Sequence, residues 1–162
     1  MFAQALRYVF HKLTRAICQF NCPDDYGYAI LTEYQDKTVV ELYLKNLKPG
    51  KHGIHIHEYA DKRKGCDSMG THYNPYDGVH GDVNEKGNHL GDLGNIFVEP
   101  NGECNQKIFV DDLPLSGPHS IIGRGMVIHE HEDDLGTGGD EESMKTGHSG
   151  GRVTCGIIGY CE

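Results

Sequence analysis

The sequence predicts an all-β domain, a sandwich or barrel with its functional site on an outer rim. Short β-branched or aromatic runs recur along most of the chain, separated by turn residues. A composition with 22 glycines and no tryptophan suits many turns between short strands. Two long irregular stretches, each beside a histidine-bearing strand end, place the chemistry in loops carried by a rigid sheet.

The N-terminus, "MFAQALRYVFHKLTRAI", stands apart. Phe2, Leu6, Val9, Phe10, Leu13 and Ile17 fall at helical spacing, and Arg7, Lys12 and Arg15 meet no acidic residue before Asp24. Residues 1–15 read as an extension or short helix, with a weak likeness to an organellar targeting peptide that lacks serine. Residues 16–162 form one domain, of ordinary size for a single core. Its strands begin with "AICQF" and "YGYAILTEY"; "TVVELYLKNL" alternates apolar with polar before the turn "LKPG".

The next strand, "HGIHIHEY", puts His52, His55 and His57 into six positions. Side chains on a strand alternate between faces, so His55 and His57 share one face and Ile54 and Ile56 the other. From Ala60 to Asn95 the chain is loop-like and too poor in apolar residues to order itself, so something must fasten it. Inside it, His72, His80, His89 and Asp92 are ligand types that hold zinc tetrahedrally, and four of them close the shell, which favours a structural over a hydrolytic ion. The strands "NIFVEPNG", "CNQKIFVDDL" and "GRGMVIHEHEDD" follow, the last carrying His129 and His131 in alternation. A second irregular stretch, "DDLGTGGDEESMKTGHSGGR", precedes the final strand, "VTCGIIGY".

Charge excludes some functions. With 24 acidic against 15 basic residues the formal charge is -9, so neither nucleic acid nor a membrane surface is an expected partner. No apolar run reaches the roughly 18 residues that would suggest a membrane span.

Five segments, "GKHGIHIHE", "GCDSMGTHYNP", "HLGDLGN", "GRGMVIHE" and "DDLGTGGDEESMKTGHSGGRVTCGIIG", resemble in order and spacing those of the copper,zinc superoxide dismutases. The resemblance runs from about Lys48 to Gly159 and more loosely back to Cys18. It implies an eight-stranded Greek-key β-sandwich or flattened barrel, the architecture shared by that family. It implies copper on His55, His57, His72 and His129, and zinc on His72, His80, His89 and Asp92, with His72 shared and also a proton carrier. His131 matches no ligand position, whereas His52 and Asp133 match supporting ones, Asp133 linking His55 to His80.

All-imidazole coordination suits a copper that cycles between two oxidation states, and so the dismutation of superoxide. By the same resemblance Arg152 is the cation beside copper, while Glu141, Glu142, Lys145 and Thr146 shape the field that guides the anionic substrate. Without the resemblance, the run "DEESMK" would read as a solvated loop.

Free thiols are the default for the intracellular, cytoplasmic protein expected here, with organelle targeting left open by the N-terminus. The resemblance nonetheless implies a Cys66–Cys155 disulfide, leaving Cys18, Cys22, Cys104 and Cys161 without partners. It further implies a homodimer through the segments of Ile122, Gly123, Arg124, Ile158 and Tyr160, and a copper-loading chaperone as a partner. The alternative is a non-catalytic metal-binding domain of the same fold, such as that of a copper chaperone. Loss of a copper ligand or of Arg152 would favour it, and all are present.

Overall fold

The structure, a computed structural model, describes residues 13–162. Strands β1 (Thr14–Phe20), β2 (Gly27–Tyr34) and β3 (Lys37–Leu44) form an antiparallel meander. Its inward positions repeat every second residue: Ala16, Cys18 and Phe20 on β1, then Thr38, Val40, Leu42 and Leu44 on β3. That period of two is what a sheet with one covered face requires. The helical spacing of the N-terminus does not extend into this region. Thr14 and Arg15, expected in the extension, already pair with Glu33 and Thr32, and Ile17 lies in β1 opposite Ile30. The rest of that segment lies outside the described residues.

The chain then crosses to a second half built from β4 (Gly50–His57), β6 (Asp92–Val98), β8 (Gly125–His129) and β9 (Arg152–Tyr160). With β7 (Cys104–Asp111) on the edge of the first half, the strand order is β6-β4-β8-β9-β1-β2-β3-β7, antiparallel throughout. Edge strands β6 and β7 are joined by a turn in which Glu99 N–H donates to Glu103 O at 2.8 Å, so the sheet curls into a nearly closed barrel. The short β5 (Arg63–Cys66) stands outside this order.

Phe20, Leu31, Leu42, Ile54, Ile56, Ile96, Met126 and Ile128 are sealed inside the barrel. Each such side chain contributes about 1.5–3 kcal/mol on burial. The core therefore holds β4 firmly from its inner face, which fixes what projects from the outer one.

Candidate metal centre

Every residue of β4 from His52 to His57 is buried, on both faces of the strand. Ile54 and Ile56 enter the core, while His55 and His57 lie beneath the loops on the other side. Register shifts at Gly53/His55 and at Ile128/His129 interrupt the ladders beside the histidines, the kind of irregularity that re-aims side chains. Strand β8 ends at His129; His131 lies beyond it with an exposed side chain, so the alternation read in "HEHE" does not extend to the cluster.

Four imidazoles, of His55, His57, His72 and His129, converge with one ring nitrogen of each within 4.8 Å of the others. The other nitrogen of each is tied to the scaffold. His55 Nε2–H donates to Asp133 Oδ2 at 2.6 Å, His57 Nδ1–H to Gly70 O at 2.9 Å, His72 Nδ1–H to Asp92 Oδ1 at 2.9 Å and His129 Nδ1–H to Gly150 O at 3.3 Å. These bonds fix the tautomers, so the converging nitrogens carry lone pairs. His55 Nδ1 and His72 Nε2 are buried without a hydrogen-bond partner, and His57 Nε2 and His129 Nε2 face each other at 3.3 Å.

Burial is the main reason these rings stay neutral: desolvation, with further repulsion from His72, holds His55 and His57 well below the ordinary imidazole value and His129 at about 4. Converging buried lone pairs with no donor among them are satisfied by a cation. The donor set, all imidazole, is one that suits copper.

His72 connects this cluster to a second. Asp92 Oδ1 accepts from His72 Nδ1 at 2.9 Å, His80 Nδ1 at 3.0 Å and His89 Nδ1 at 3.3 Å, while Oδ2 accepts from the backbone N–H of Gly81 and His89, each at 3.1 Å. Burial alone would lower His80, but hydrogen bonds to Asp133 and Asp92 outweigh it and raise the imidazole to about 9. Burial opposes ionisation of Asp92 as well, and the bonds from His72 and His80 reverse that, leaving it far below the carboxylate range. Three imidazoles around one carboxylate are the donors a tetrahedral zinc ion takes.

Asp133 and His52 both contact rings of these clusters or their backbone. Asp133 receives His55 Nε2 at 2.6 Å and His80 Nε2 at 2.7 Å, bracing one ring from each cluster. His52 spans His129 O and Lys48 O at 2.7 Å each. Gly147, at φ +65°, passes so close that any Cβ would overlap the Asp133 carboxylate. The Cys66–Cys155 disulfide ties the end of β5 to β9.

A cavity of about 610 Å³ opens over the first cluster, lined by His57, His72 and His129 at its floor and by Arg152, Glu142, Lys145 and Thr146 toward its mouth. Arg152 donates from Nη1 to Cys66 O at 2.8 Å and from Nη2 to Gly70 O at 2.6 Å, which fixes its half-buried guanidinium in the cavity lining. Burial lowers its pKa against the pull of Asp67, but an arginine remains a cation. The single-turn helix α1 (Ser143–Thr146) carries Lys145, whose Nζ donates to Glu141 at 2.5 Å. Glu141 does not line the cavity, and Glu142 holds Thr146 Oγ1 at 2.6 Å. Sequence reasoning missed the carbonyls of Gly70 and Gly150, because a backbone acceptor leaves no mark in residue type.

A family profile described as copper/zinc superoxide dismutase (SODC) matches residues 26–158. The chain is 43% identical over 152 residues to superoxide dismutase [Cu-Zn] A of Xenopus laevis, covering 92% of this chain and 99% of that protein. Among solved structures, that of the clock protein EA4 superposes with a TM-score of 0.87 at 40% identity, covering 94% of this chain and 98% of the other.

Proposed function

This chain belongs to the copper/zinc superoxide dismutase family and is a superoxide dismutase with copper and zinc as cofactors, and on that premise we propose which residues do the work. His55, His57, His72 and His129 hold copper, and His72, His80, His89 and Asp92 hold zinc. The observation that carries this reading is the set of four lone pairs converging from rings whose other nitrogens are all anchored.

Bound copper supplies a one-electron couple, and zinc, which does not cycle, supplies fixed charge. The chain's own residues do the rest. Arg152 attracts and positions superoxide at the cavity mouth, offsetting the overall charge of -9 with a local positive field. His72, anchored through Nδ1, holds and releases a proton at Nε2 as product peroxide forms. Glu142, Lys145 and Thr146 shape the approach, with Glu141 acting through Lys145. His52 and Asp133 position the rings they touch, and the disulfide holds the segment whose carbonyls orient Arg152.

A separate N-terminal extension is proposed to precede β1, which already takes in Thr14 and Arg15. A homodimer is supported by the exposed Ile157 and Tyr160 on the strand whose Ile158 O accepts from Gly123 N–H; the Ile158 side chain itself turns into the core. An intracellular, cytoplasmic location is supported by four free cysteines beside the one disulfide, and copper loading by a chaperone fits that setting. Among the described residues no helix is long and apolar enough to cross a membrane.

Metal analysis paired with dismutation before and after copper addition tests the assignment. Roughly one copper and one zinc per chain with copper-dependent activity is the expected result for one open and one closed site. Zinc without copper-dependent activity would overturn the copper assignment.

A further inference from the structure

Cys22, in the turn between β1 and β2, is a free thiol set against the disulfide. Its sulfur and those of Cys66 and Cys155 all lie within 4.8 Å of one another. It is half-buried, packed on the small cluster of Cys66, Met69, Val127 and Cys155, and its carbonyl lies 3.9 Å from Cys66 Sγ. The turn is pinned to the β5 approach by Lys62 Nζ, which donates to Asn21 Oδ1 at 2.8 Å. The contact is therefore built into the packing.

Thiol–disulfide exchange needs an attacking thiolate beside a disulfide sulfur and no external oxidant. We propose that Cys22 is an internal exchange partner of the Cys66–Cys155 bond. The Cys22 thiolate attacks one sulfur of the pair; a new S–S bond forms to it as the Cys66–Cys155 bond breaks. The departing sulfur leaves as a thiolate and takes up the proton that Cys22 released, so the chain keeps one disulfide and its oxidation state. Attack on either sulfur cuts the link between β5 and β9. That removes the tether on the segment whose Cys66 and Gly70 carbonyls hold Arg152, so the cavity mouth is coupled to thiol chemistry.

Disulfide mapping of the full-length, metal-loaded protein tests this directly. Dilute protein is incubated at mildly alkaline pH, acid-quenched and alkylated, and its peptides are read without reduction. The expected result is a peptide joining residue 22 to 66 or 155, with loss of alkylation at Cys22 matched by gain at the released cysteine. Cys22→Ser should abolish the new linkage and leave only Cys66–Cys155. Cys161→Ser should leave the exchange unchanged. Alkylation that stays wholly on Cys22 in the wild-type chain, both metal-loaded and chelated, would overturn the proposal.

Discussion

Two imidazole clusters share His72 and differ in one respect: the second contains a carboxylate at its centre and the first does not. In the first, burial without a counter-charge keeps the rings neutral and leaves lone pairs facing one another. In the second, Asp92 gathers three N–H donors and His80 is held charged between Asp92 and Asp133. The second cluster thus satisfies itself largely from within the chain, whereas the first is completed only by a cation. The two clusters therefore differ in what they ask of a bound ion.

The sharpest way to break the comparison is to damage one cluster and read the other. His129→Ala should abolish dismutation, while zinc content and the fold of the loop persist. Activity retained in the copper-loaded variant would sink the copper assignment. Asp92→Ala removes the common acceptor and should lower stability by roughly 3–5 kcal/mol, the usual cost of breaking a buried charged pair. Chemical denaturation measures it, and a loss below about 1 kcal/mol would mean the carboxylate is not what fastens the loop.

Arg152→Glu should leave metal content near normal and slow the reaction. The slowing of about 10- to 10³-fold is that of electrostatic steering, for which this family is itself a standard case. Salt dependence should change with it, and stopped-flow rates across ionic strength decide the matter.

The smallest effect is a titration of the metal-free chain by histidine NMR. His129 should stay neutral until pH falls to about 4, and His80 should stay protonated until pH rises to about 9. The linkage signs are opposite. A depressed histidine contributes stability above its unfolded value near 6.5 that is lost as pH falls toward 4; a raised one contributes below 6.5 and loses it as pH rises through 9. Parallel titration of the two rings would erase the distinction between the clusters.

Much of this was legible beforehand. Alternation in "TVVELYLKNL" and "GIHIHEY" marked the strands because successive side chains of a strand point to opposite faces. Where the N-terminal segment enters the described residues, strand pairing replaces the helical spacing. A helical spacing of apolar residues ran up to Ile17, yet Thr14 onward pairs with β2 and β9, since long-range ladder bonds outweigh local propensity. The residues proposed as ligands are the types and motifs singled out in the sequence. Alternation could not separate His129 from His131, because it did not show that β8 stops at His129.

By itself, then, the sequence determined the residue types of the centre, the strand carrying two of them and the family. Those depend on local chemistry and spacing, which a linear order records. Only the tertiary structure decided which nitrogen of each ring is free and that Glu141 turns to Lys145 outside the cavity. It also placed Cys22 against a disulfide whose halves lie 89 residues apart. Such facts depend on groups distant in the chain meeting at a few ångströms, and on backbone carbonyls that every residue possesses and only the fold can aim.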